Sequence, residues 1–170
     1  LPWGIEVDEL GDVYVADWRN DRIQRFNAEG EFIFEFGGSG KGPGELHRPA
    51  GVEVDVDGDI YVADAGNDRI QLFNADGRYV ERFFGDATLS KQGLDYLVNN
   101  AVPLRLRDMA DLEPQKRFKS PKAVRFDDKT GCMYVADTES YRVQSYRKDV
   151  VRLNEDQIAP SMRNPTLATT

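Results

Sequence analysis

Three carboxylate–guanidinium pairs recur along the chain: Asp17 with Arg22, Asp64 with Arg69 and Asp137 with Arg142, each separated by a four-residue loop. Such a pair can lock a loop through a charge-assisted, bidentate hydrogen bond, and it can also contact a ligand directly. Recurrence at one place in three segments points to the structural role. Recognition is then expected from the loop residues that differ between segments, Trp18 and Arg19 in the first and Glu139 and Tyr141 in the third. A Trp beside an Arg is a pairing enriched at protein interfaces. Packing of Trp18 on a neighbouring unit is the competing role.

Other constellations carry less. Asp55-Val56-Asp57-Gly58-Asp59 has closely spaced carboxylates but not the alternate ligands and distant Glu of an EF-hand loop. Asp8-Glu9-Leu10-Gly11-Asp12 fills the same place in the first segment, so both read as hairpin turns. Gly37-Gly38-Ser39-Gly40-Lys41-Gly42-Pro43-Gly44 is glycine-rich, but a phosphate-binding loop needs Gly-Lys-Ser/Thr opening a helix, and Gly42-Pro43 follows Lys41 here. No serine or cysteine stands beside a base as an activated nucleophile would. With one histidine, His47, and one cysteine, Cys132, the chain has neither a multi-cysteine metal cluster nor an internal disulfide.

The elements that must position these residues form a repeat. Pro2-Trp3-Gly4-Ile5-Glu6-Val7-Asp8 returns as Pro49-Ala50-Gly51-Val52-Glu53-Val54-Asp55 and more loosely as Pro121-Lys122-Ala123-Val124-Arg125-Phe126-Asp127. Behind each comes Tyr-Val-Ala-Asp, ending at Asp17, Asp64 and Asp137, and then an Arg-Ile/Val-Gln. In the second copy, 51–55 alternates apolar and polar as a half-buried strand does, 56–59 is a turn and 60–63 is a continuous β-prone run. Residues 69–73 alternate again, 74–77 turn, and 78–84 supply a fourth strand. Four short antiparallel strands per unit, at a period of 47 residues between Pro2 and Pro49, are the pattern of a β-propeller blade.

These residues closely resemble the NHL repeat, through Pro-x-Gly-Val-x-Val-Asp, Gly-Asp-Ile-Tyr-Val-Ala-Asp and Gly-Asn-Asp-Arg-Ile-Gln-x-Phe. The match covers 2–85 well and 121–147 more loosely. It implies an all-β fold of propeller blades, commonly six to a ring, with 51–55 nearest the axis. About three blades are visible, too few to close a ring, so either several copies assemble or, as the favoured expectation, this is a partial propeller with its remaining blades upstream. Some NHL-like propellers are zinc-dependent lyases that rely on channel histidines, and His47 alone cannot provide such a set. Related propellers are metal-dependent lactonases or esterases, for which Glu6 and Glu53 are the inner-strand acids that would serve as ligands.

Five segments follow: blades at 1–48 and 49–85, a partly helical insertion at 86–120, a divergent blade at 121–153, and a polar tail at 154–170 expected to be disordered. Leu94, Leu97 and Val98 stand at helical spacing, and Pro103 ends that helix at or before Val102. Asp149–Leu153 is the only source of a fourth strand for the third blade. Since loops alternate between faces, the insertion is expected to overhang the face carrying 17–21, 64–68 and 137–141.

The chain carries a formal charge of −8, and residues 1–85 hold 18 acidic against 8 basic side chains. That balance repels polyphosphate and argues against the RNA binding known for some NHL propellers. No apolar run is long enough to span a bilayer. A soluble protein is expected, with any targeting signal missing and the compartment open. The leading reading is therefore a non-enzymatic platform binding a protein or peptide through its loop face and insertion, with no cofactor. The alternative is a hydrolase or lyase using calcium or zinc on a small molecule in the axial channel.

Overall fold

Period-two alternation in the sequence becomes three antiparallel sheets in the computed structural model, which describes residues 1–86, 99 and 113–148. The first sheet is β1 (Pro2–Val7), β2 (Val13–Asp17), β3 (Arg22–Phe26) and β4 (Phe32–Gly37), in that order. The second repeats it with β5 (Pro49–Val54), β6 (Ile60–Asp64), β7 (Arg69–Phe73) and β8 (Tyr79–Phe83). The third holds β9 (Pro121–Asp127), β10 (Cys132–Asp137) and β11 (Arg142–Arg147). The expected fourth strand at 149–153, the helix at 89–98 and the tail lie outside the described residues. A four-residue helix, α1 (Glu113–Lys116), carries Pro114 in its first turn, where a missing N–H costs nothing.

Each sheet packs through one face on the next, and the alternation decides which side chains do so. Tyr14, Ala16 and Ile23 of the first sheet are buried against Val52, Ile60, Val62 and Phe73 of the second. Tyr61, Ala63 and Ile70 occupy the matching positions of the second sheet and pack on Val124, Phe126, Met133 and Val135 of the third. The run Ile60–Asp64 is buried throughout because it is central in its sheet and covered on both faces. Each of the Val, Ile, Phe and Met side chains among them stabilises by roughly 1.5–3 kcal/mol relative to exposure.

The innermost strands approach closely at glycine. A Cβ on Gly4 would lie 2.5 Å from the Ala50 carbonyl oxygen, and one on Gly51 would lie 2.9 Å from that of Lys122. In the third unit the same position is Ala123, which is exposed. Two faces have no neighbouring sheet among the described residues. On one, Ile5 and Val7 are exposed; on the other, Tyr134 and Val143 are.

Candidate binding site on the loop face

The loops following β2, β6 and β10 share one scaffold. Asp64 Oδ2 accepts hydrogen bonds from Arg69 Nε at 2.7 Å, Asn67 Nδ2 at 2.9 Å and Gln71 Nε2 at 3.2 Å. Its other oxygen accepts the His47 N–H at 2.7 Å. The Arg69 guanidinium then donates to the carbonyls of Lys41, Gly42 and Glu45, at 2.8, 3.0 and 2.7 Å. The glycine-rich link thus presents carbonyl oxygens to an arginine, the opposite of a phosphate cradle.

Asp137, Arg142 and Gln144 build the same clamp in the third unit. Asp137 accepts from Arg142 Nε at 2.7 Å and from the Lys119 N–H at 2.6 Å, while Arg142 donates to the carbonyls of Gln115, Lys116 and Arg117. Asp17 accepts from Arg22 Nε at 3.2 Å and from Asn20 at 2.7 Å, and Arg22 turns outward to Glu35. Each link or insertion end is thereby fixed to the loop ends of the following unit. The end of the insertion, at Phe118–Ser120, lies beside Asp68, Asp137 and Glu139.

A second clasp joins adjacent loops. Asp21 and Asp68 adopt positive φ, and their carboxylates accept the N–H groups of Arg48 and Ser120, both at 2.7 Å. Tyr141 takes this position in the third unit with φ 52° and stands 96% exposed.

Among these anchored loops the structure brings both tryptophans together. Trp3 and Trp18 stack obliquely, with ring centroids 5.6 Å apart. The Arg48 guanidinium lies 5.1 Å from the Trp18 ring and the Lys122 ammonium 5.7 Å from the Trp3 ring. The four line a cleft of about 290 Å³ with Asp68, Ser120 and Glu139. Of the four loop residues singled out by sequence, Trp18 and Glu139 line this cleft, while Arg19 and Tyr141 stand exposed outside its lining. Trp3, Arg48 and Lys122 escaped the sequence reading. Trp3, Ala50 and Lys122 share one repeat position, and variation there in an otherwise regular motif is the unused signal that pointed to it.

At the other mouth of the axis lies a second hollow of about 390 Å³. Glu6, Glu53 and Arg125 occupy one repeat position in β1, β5 and β9, and Arg125 donates to Glu6 at 2.8 Å and to Glu53 at 3.0 Å. Burial raises the Glu53 carboxyl from 4.5 to about 7, opposed by the Phe126 N–H and Arg125 and reinforced by Glu6. One guanidinium nitrogen thus bridges the two acids, and no group of three or more His, Cys, Asp or Glu suited to a metal occurs among the described residues. Lys148 plays a similar part at the Asp55 turn, with Nζ 2.7, 3.0 and 2.8 Å from Asp55, Asp57 and Asp59. Burial pulls its ammonium pKa down, but the three carboxylates outweigh that and hold it well above its ordinary value.

Comparison with known families places this geometry. DUF5128, described as a 6-bladed beta-propeller, matches residues 5–100. The chain belongs to this family. The DUF5128 match agrees with two NHL-repeat relatives in Drosophila melanogaster. Protein brain tumor is 46% identical over 48 residues, covering 28% of this chain and 5% of its own length. Protein wech is 52% identical over 33 residues, covering 19% of this chain and 4% of its own length. The chain therefore matches only a small part of each. A solved Bacteroides thetaiotaomicron protein of unknown function has a TM-score of 0.54 at 18% identity, over 81% of this chain and 32% of that one. That likeness concerns the fold. No helix among the described residues is long and apolar enough to cross a membrane.

Proposed function

We propose that this DUF5128 propeller segment is a binding platform that takes a protein or peptide on its loop face. One observation carries the reading: the chain has two tryptophans, and both line one cleft built by loops and inner strands of three units. Aromatic anchors beside guanidinium and ammonium groups are what concentrates binding energy at interfaces. The end of the insertion, at Phe118–Ser120, lies on this same face, and the insertion adds specificity. Segments 1–48, 49–85 and 121–153 act as blades. Further blades dock on the exposed faces at Ile5 and Val7 and at Tyr134 and Val143.

The test is selection of peptides from a displayed random library against the whole chain, with counter-selection on Trp18→Ala. The platform reading expects binders that are lost on that variant. Binders indifferent to Trp18→Ala, or none at all, would contradict it.

The axial hollow supports a second reading, small-molecule chemistry, through a Glu53 carboxyl raised to about 7 and therefore half-protonated near neutrality. Arg125 holds both acids, and no serine or cysteine lines the hollow among the described residues. The platform is the better supported of the two.

A further inference from the structure

The charge of the molecule is polarised between the two ends of the blades, and the net value hides it. Arg19, Lys41, Arg48, Arg117, Lys119 and Lys122 are exposed on the loop-face side. None of these six forms an ion pair with a carboxylate among the described residues. Most aspartates of the same face are buried or half-buried, Asp68 being exposed, and Asp17, Asp64 and Asp137 are paired with the clamp arginines. Asp64 and Asp137 serve the clamps, Asp21 is held by Arg48 N–H and Ser39, and Asp68 by Ser120 N–H. Asp68 and Glu139 are the exposed acids at the cleft, facing Arg48 and Lys122. The opposite ends carry the acidic turns, where Asp12 pairs with Arg25, Asp57 and Asp59 share Lys148, and Asp8, Glu9 and Asp128 add further carboxylates.

From this polarity we infer that the loop-face cleft recognises an acidic peptide segment bearing an apolar or aromatic side chain. This rests on the platform reading and deepens it. The apolar group packs on Trp3 and Trp18, and flanking carboxylates meet Arg48 and Lys122, which the stacked indoles hold beside the cleft. A cleft of about 290 Å³ suits one or two side chains, not an extended run of bases. The acidic turns at the far ends disfavour a polyphosphate.

The experiment uses the whole chain and three labelled probes followed by anisotropy: a peptide with four glutamates around one phenylalanine, its lysine counterpart, and single-stranded oligouridine. The glutamate peptide is expected to bind most tightly and to weaken by about tenfold or more in Lys122→Glu, an exposed change that leaves the fold intact. Its affinity is also expected to fall as salt rises. Equal or tighter binding of the lysine peptide or of oligouridine, or no binding of the glutamate peptide, overturns the inference. Library binders that need Trp18 but are not acidic would overturn this inference and leave the platform standing.

Discussion

Arg69 Nε lies 2.7 Å from Asp64 Oδ2, and both side chains are almost wholly buried, at 2% and 0% exposure. The same guanidinium holds three carbonyls of the preceding link. One side chain therefore ties a loop, a strand and an inter-unit connection together. Arg69→Ala leaves a buried carboxylate without its cation and three carbonyls without their donor, a loss of about 3–5 kcal/mol. The related Arg22 is 33% exposed and pairs with Glu35 at the surface. Arg22→Ala is expected to cost about 1 kcal/mol or less. Urea denaturation of the two variants measures both, and equal losses would refute the clamp account.

Close approach of the inner strands gives a second prediction. Gly51→Ala forces a Cβ to 2.9 Å from the Lys122 carbonyl oxygen, and Gly4→Ala forces one to 2.5 Å from that of Ala50. Backbone atoms must move in each case, at about 1–3 kcal/mol. Ala123 holds the same repeat position on an open face, and Ala123→Gly is expected to cost no more than about 1 kcal/mol. Thermal melts that rank Ala123→Gly as the worst of the three would contradict the packing described.

The Glu53 carboxyl links stability to pH. Its value in the fold, about 7, exceeds the ordinary 4.5, so between these limits the folded chain binds more protons than the unfolded one. The contribution is fully present below pH 4.5 and is lost as pH rises through about 7. Glu53→Gln keeps an acceptor for the Phe126 N–H but removes the titration. Relative to the parent, the variant is expected to gain stability on going from pH 5 to pH 8, read from paired denaturation curves. A pH-independent difference would show that burial does not govern this group.

The blades were legible because their information is local. Alternation in 51–55, the Gly58 turn and the Asp64–Arg69 spacing all act within a few residues of one another. The cleft was not legible, because Trp3 and Trp18 meet across the β1–β2 pair but Arg48 and Lys122 reach them only after three sheets have packed. The distribution of charge between the two faces was hidden for a related reason. The balance of residues 1–85 counts every acid alike, whereas Asp64 is buried in its clamp and Asp21 accepts the Arg48 N–H. The Asp55 turn likewise found its cation in Lys148, 93 residues away, which no local pattern announces.

Tryptophan emission offers the most direct test of the loop-face site, since Trp3 and Trp18 are the only indoles in the chain and both line the cleft. A library-selected peptide free of tryptophan would be titrated into the whole chain while anisotropy of the peptide and emission of the protein are recorded together. The account predicts that both signals change and saturate at the same peptide concentration. Saturating anisotropy with unchanged emission would place the binding surface elsewhere and contradict the central claim.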